Sequence, residues 1–118
     1  MVVWKPPSRD YDFLFNEVFD AIGSIEGLGY DDFDADFLSM LIDGWGTHTK
    51  EVWLPVNELG DKEGLSFKDG IITMPKEFKE AYRQGIEEGW MATSCKPEHG
   101  GIGVPIFFSA VTLSLIHI

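Results

Sequence analysis

Leu38, Leu41, Trp45, His48, Val52, Pro55 and Leu59 follow one another at alternating three- and four-residue steps, and no other stretch of the chain is so regular. That spacing predicts a helix over about 33–58 with one apolar stripe, which Phe37, Ile42, Trp53 and Val56 widen into a broad face. Asp31, Asp32, Asp34 and Asp36 crowd its start, where the helix dipole favours negative charge. Gly44, Gly46 and Pro55 weaken it, so a kink is expected near 44–46 or 54–55. A helix with so wide an apolar face has to bury it against a second layer. The fold class this sets is mainly α.

The remaining segments are shorter. Residues 1–9, with Pro6-Pro7, read as extended. Phe13, Leu14, Val18 and Ile22 predict a short helix over about 12–21, with Asp10 or Asp12 as its N-cap and Gly23 as its stop, followed by a glycine-rich loop over 23–29. Residues 57–64 read as a linker. Leu65-Ser66-Phe67 and Ile71-Ile72-Thr73 flank Lys68-Asp69-Gly70 and predict a small hairpin, because Asp-Gly suits a tight turn. Pro75 opens a further helix on which Phe78, Tyr82, Ile86 and Trp90 step by four, with Gly89 as terminator. After a turn at 96–103, Pro105 begins a last apolar helix. The total is four to five helices and one hairpin, without internal repeats.

Composition narrows the function. Hydrophobic residues make up 44% and aromatics 14%, enough to build a core and to argue against disorder. Twenty acids against nine Lys/Arg give a net charge of −11, and no Lys or Arg lies between Arg9 and Lys50. Such a surface repels phosphate backbones, so no nucleic-acid partner is expected. The single Cys95 fits a reducing compartment. No signal peptide is recognisable in the first residues, and the apolar stretch 102–118 is too short and too interrupted by Pro105, Ser109, Thr112 and Ser114 for a membrane span. The expected localisation is cytoplasmic.

No motif supplies a catalytic constellation. Gly100-Gly101-Ile102-Gly103 lacks the glycine spacing of a dinucleotide loop, since Ile106 stands where glycine is needed, and no Walker lysine follows. It reads instead as a structural turn made of Glu98, Gly100, Gly101 and Gly103. At least one of these glycines is expected at positive φ, and Glu98 is expected to accept backbone N–H bonds. Cys95 and His99 are four apart but have no second ligand pair for zinc. His48 reads as a hydrogen-bonded interior histidine. Glu87 and Glu88 are adjacent on a helix and point apart.

Three blocks carry a family resemblance. Lys5-Pro6-Pro7-Ser8-Arg9-Asp10-Tyr11-Asp12-Phe13-Leu14-Phe15-Asn16-Glu17-Val18 resembles the short extension that precedes the dehydrogenase domain in one branch of the acyl-CoA dehydrogenases, a branch that includes the enzymes acting on 3-methylmercaptopropionyl-CoA. Glu51-Val52-Trp53-Leu54-Pro55-Val56-Asn57 with Gly60-Asp61 and Glu63-Gly64 is similar to that branch's helix end and linker. Pro75 to Tyr82, Glu88-Gly89-Trp90 and Pro97-Glu98-His99-Gly100-Gly101-Ile102-Gly103-Val104-Pro105 resemble the family's helix, Gly-Trp step and Pro-Glu-x-Gly-Gly-x-Gly turn. The resemblance covers about residues 4–112. It departs at His99, where an aromatic is commoner, and in the glycine content of 23–29.

What the resemblance implies is a truncated helical N-terminal domain from a flavoenzyme with a helical, a β and a second helical domain. FAD would lie between the later domains and a neighbouring subunit, the parent would be a homo-oligomer, and an electron-transfer flavoprotein would accept its electrons. A glutamate of the last domain would take the α-proton of an acyl-CoA thioester while the β-hydride passes to flavin, leaving the 2,3-enoyl-CoA. None of those positions matches a residue here, so no catalytic, cofactor-binding or metal residue is assigned and the piece alone is expected to be inactive and free of FAD. The implied organisation is an extension over 1–30, a partial helical domain over 31–112 and a tail over 113–118. Leu113-Ser114-Leu115-Ile116-His117-Ile118 can be encoded by CTG-TCT-CTT-ATA-CAC-ATC, the end of a transposon adaptor used in DNA library preparation, so the tail is expected to be non-native. Two alternatives stay open: a self-contained acidic helical interaction module without catalysis, and a dehydrogenase-like parent whose substrate is not a CoA thioester.

Overall fold

The computed structural model describes residues 3–117, without the side chain of His117; Met1, Val2 and Ile118, two of them in the extended start and one in the predicted tail, lie outside the described residues. The first helix differs from the expected one at both ends. α1 (Ser8–Phe13) begins directly after Pro7, with no side-chain cap, and runs on through a π turn at Leu14–Val18. Pro7 presets a helical φ, and its carbonyl already accepts the N–H groups of Asp10 and Tyr11. Asp10 and Asp12 therefore lie inside the helix, not at its cap, and Asp12 instead accepts a 2.8 Å bond from Ser39 Oγ. Asp20 makes the break: it is left-handed at φ 43° and caps α2 (Ala21–Ile25), its carboxylate accepting from Gly23 N–H. Gly23 is thus inside α2 and not a stop. A short polar side chain that tolerates the left-handed region and also caps took the role expected of glycine.

The long helix is longer than its stripe predicts. α3 (Ala35–His48) is capped by Asp34, whose Oδ1 accepts from Phe37 N–H at 2.7 Å. A π turn at Thr49–Trp53 connects it to α4 (Leu54–Glu63), so residues 57–63, expected as linker, are helical. Pro55 has no N–H to give to Glu51, and the widened turn just before it absorbs the missing bond. The departure from regular helix accordingly falls at 49–53 and not at 44–46. Gly44 and Gly46 serve approach instead: Trp90 lies against the first and Pro6 against the second, where a β-carbon would stand.

β1 (Ser66–Lys68) and β2 (Ile71–Thr73) pair antiparallel, Phe67 opposite Ile72 and Lys68 opposite Ile71. Asp69 and Gly70 both have positive φ, 53° and 78°, the two-residue turn that matches strand twist. α5 (Lys76–Glu87) follows Pro75 and ends before Gly89, at φ 81°. Its buried positions are Ala81 and Gly85; Tyr82 and Ile86, from the four-residue row, are about half exposed. α6 (Ile106–His117) starts after Pro105.

One core joins α3 to α6. Leu38, Leu41, Ile42 and Trp45 of α3 meet Val104, Phe108, Val111 and Leu115, and Trp4, Tyr11 and Phe15 close over them. Trp45 is buried, and its indole N–H donates to the Thr112 carbonyl at 2.6 Å. Tyr11 O–H donates to Ser114 Oγ at 2.8 Å, tying the first helix to the last.

Candidate functional site

Two constellations gather the residues singled out in the sequence, one where the end of α5 meets the end of α3 and one in the turn that leads to α6. The first surrounds His48. Its ring is buried, stacked on Trp45 at 5.4 Å and 11°, with Trp90 at 6.0 Å and Trp53 at 6.4 Å. Nδ1 lies 2.8 Å from Glu88 Oε2. A carboxylate only accepts, so Nδ1 carries the hydrogen. Glu88 also accepts from Trp90 Nε1 at 2.9 Å and from Gln84 Nε2 at 2.7 Å. The Gln84 bond first, then the Trp90 bond, with a smaller contribution from His48, hold the Glu88 carboxyl below its ordinary range against a small opposing effect of burial. His48 Nε2 is buried without a hydrogen-bond partner among the described residues and looks onto Gly85, where a β-carbon would come within 3.6 Å of it. Glu87, by contrast, turns out to Arg83 at 2.7 Å.

This arrangement clamps; it does not present a reactive group. The one ring nitrogen free to act as a base faces the backbone of α5, out of reach of any substrate in solvent. His48 was legible as a bonded interior histidine. Its partner Glu88 was not, because the two are brought together only by the packing of α5 on α3.

The second constellation is the 97–103 turn. Lys96 O accepts from His99 N–H at 2.9 Å and Gly101 N–H at 3.2 Å, and Thr93 O accepts from Gly103 N–H at 3.0 Å and Val104 N–H at 3.1 Å. Gly100 and Gly103 are left-handed, at φ 80° and 79°. Gly101 is not, but a β-carbon there would run into the carbonyl oxygens of Ala92 and Cys95. Glu98 accepts no backbone N–H among the described residues. Its exposed carboxylate has only Lys96 Nζ at 3.9 Å and His99 Nε2 at 3.6 Å beside it. The turn closes through the two carbonyls of Lys96 and Thr93, so the side chain expected to satisfy it is not used. Cys95 and His99 are both exposed.

Two surface concavities among the described residues do not suit a dinucleotide. One of about 270 Å³ is lined by Ile22, Ile25, Tyr30 and Phe33 but also by Glu26 and Asp31, whose charges disfavour a diphosphate. The other lies over Arg9, Asp10, Phe13 and Leu14, a single cation beside an anion. No group of three or more His, Cys, Asp or Glu is placed to hold a metal among the described residues, and none of the helices described there is long and apolar enough to cross a membrane.

A mainly helical piece with one hairpin and a glycine turn resembles the N-terminal region of an acyl-CoA dehydrogenase. Over 117 residues the chain is 27% identical to the 3-methylmercaptopropionyl-CoA dehydrogenase of Ruegeria pomeroyi (strain ATCC 700808 / DSM 15171 / DSS-3), a match that takes in 98% of this chain. The chain spans about a fifth of that relative's length (20%). No protein-family model matches it.

Proposed function

We propose that this chain is the N-terminal helical part of an acyl-CoA dehydrogenase-type enzyme, oxidising an acyl-CoA thioester to its 2,3-enoyl product. The observation that carries this is the continuous match, 98% of the chain against 20% of a dehydrogenase. Within such a parent, bound FAD would supply the acceptor for the hydride. The residues of this chain would do something else: His48, Glu88 and Trp90 fasten α5 to α3, and Gly100, Gly101 and Gly103 turn the chain from α5 into α6. We assign that turn a structural role and the chain no contact with cofactor or reacting atoms. Residues 1–30 act as the extension, 31–112 as the partial domain, and 113–118 as adaptor-encoded sequence, with the parent a homo-oligomer in the cytoplasm that passes electrons to an electron-transfer flavoprotein.

The test is the longer protein. Independent genomic sequence should continue the frame past Thr112 into a further helix and a strand-rich region. The protein expressed from it should lose its flavin absorbance near ~450 nm when an acyl-CoA thioester is added without other acceptor. An in-frame stop at codon 119 in independently sequenced genomic DNA would instead favour the self-contained interaction module. A flavin that no acyl-CoA reduces would favour a substrate outside the thioesters.

A further inference from the structure

Asp-Gly occurs twice in the chain, at Asp43-Gly44 and at Asp69-Gly70. The pair has a chemistry of its own. The backbone nitrogen after an aspartate can reach that aspartate's side-chain carbon, and glycine puts no β-carbon in the way. Closure needs two freedoms: the glycine amide must be released from its hydrogen bond, and the aspartate backbone must rotate until Cγ and the nitrogen meet. The fold gives the two pairs opposite amounts of both. Asp43 and Gly44 lie inside α3, where amides are committed to the helix ladder, and the Trp90 ring packs against Gly44. Rotation there would break the helix beside the buried Trp45.

Asp69 and Gly70 are exposed and form the turn between β1 and β2, whose last paired residues are Lys68 and Ile71, so the Gly70 amide stands outside the ladder. A β-carbon placed at Gly70 would meet nothing within 4 Å. Asp69 is held at φ 53°, a strained setting for a residue other than glycine, and rotation relieves it. Every residue of both strands is exposed, and a lone hairpin of this size opens readily. We propose that Asp69-Gly70 is a self-modification site that converts to isoaspartate, that Asp43-Gly44 is not, and that the product unpairs the hairpin. In the first step Gly70 N bonds to Asp69 Cγ as the Cγ–OH bond of the protonated carboxyl breaks. The amide proton and that hydroxyl leave together as water, and a cyclic imide remains. Water then adds back. At Cγ it restores aspartate; at the backbone carbonyl carbon it leaves the chain running through Cβ. No oxidant, metal or enzyme enters. The extra backbone atom spoils the fit of a two-residue turn to the strand twist. Nothing in this chemistry depends on the parent being an enzyme.

The test is to store the 118-residue chain for weeks in mildly acidic buffer, with and without concentrated guanidinium chloride. Digestion and electron-based fragmentation mass spectrometry then distinguish the β-linkage at each pair. The denatured sample gives the rate each pair has without a fold. In the folded chain, isoaspartate at 69 should form within a few-fold of its denatured rate, and at 43 at least about tenfold below its own. Asp69→Gly keeps a pair that suits the turn but has no carboxyl, and should give no isoaspartate in segment 65–74. The converted wild type, separated by chromatography, should exchange its 66–73 amides faster than the unconverted chain while α3 is unchanged. Protection of 69 as strong as that of 43 would overturn the proposal, as would conversion of both pairs at their denatured rates. Equal exchange in the converted and unconverted chains would overturn the claim that the product unpairs the hairpin.

Discussion

Glu88 stands at the end of α5 with its two oxygens shared among Gln84, His48 and Trp90. Those donors favour the charged form, so its folded pKa lies below its ordinary value of 4.5. Over that range the unfolded chain binds more protons than the folded one. The resulting stability is present above about pH 4.5 and is lost as pH falls through the folded pKa. Glu88→Gln should therefore destabilise by about 1 kcal/mol above pH 5, modest because the side chain is partly exposed. The gap to wild type should close as pH falls below about 4.5 and through the lowered folded pKa. Urea unfolding at a series of pH values reads this, and a constant gap would show that Glu88 does not titrate as argued. The turn gives a second prediction at this scale. Gly103→Val puts a branched β-carbon at φ 79° and should cost about 1–3 kcal/mol. Gly101→Ala, at an ordinary φ, should cost no less, because its β-carbon meets two carbonyl oxygens that cannot move independently. In the longer parent both changes should lower folded yield and leave turnover per folded molecule near normal. A variant that folds well and loses turnover would point to contact with substrate or cofactor. The need for glycine was legible in the sequence, but its reason at 101 was not: backbone crowding leaves no trace in local spacing, whereas positive φ follows from the turn itself.

Where helices join, glycine and proline decide more than propensity does. The stripe from Leu38 onward and the Asp69-Gly70 turn were legible because each is a local pattern with one solution. The passage through Pro55 was legible as a kinked helix, but the π turn before it and the helix's run beyond 58 were not. A proline normally ends a helix, and only the π turn before it lets α3 and α4 continue as one. Asp20 was missed for a similar reason, since its left-handed conformation is uncommon for a residue other than glycine. Gly60 shows the same logic with a measurable consequence. It sits inside α4, where Ala would gain about 1 kcal/mol from propensity alone. However, the Phe78 ring of α5 occupies the space its β-carbon would need. Gly60→Ala should thus destabilise, by about 1–3 kcal/mol of overpacking. In a Phe78→Leu background the same change should cost less or stabilise, and thermal melts of the four proteins give the coupling. Purely additive effects would mean that Phe78 does not hold α4 and α5 together.

The whole molecule is a slab. Its extents are 54 × 35 × 19 Å and its radius of gyration is 16.7 Å, where a compact chain of this length would have about 13–14 Å. Nineteen ångströms is less than two helix diameters of about 10–12 Å, so much of the chain is packed on one side only. Its stability then rests on one seam, between α3 and α6. Leu115, 1% exposed, sits at the far end of that seam and inside the segment 113–118. Phe108, fully buried, sits nearer its middle. Removing residues 113–118 takes away one buried leucine and the Tyr11–Ser114 bond, a loss of about 2–5 kcal/mol. Phe108→Ala should cost about 3–5 kcal/mol. Losses of that size consume most of what a chain with so much one-sided surface retains, since whole domains hold only about 5–15 kcal/mol. The wild-type chain should melt at modest temperature and bind a hydrophobic dye. Both altered chains should keep helical circular dichroism only in part and bind the dye more strongly. A sharply cooperative wild-type transition without dye binding, surviving the deletion of 113–118 unchanged, would show that the slab is sufficient in itself. It would count against the truncated-domain reading and for the self-contained module.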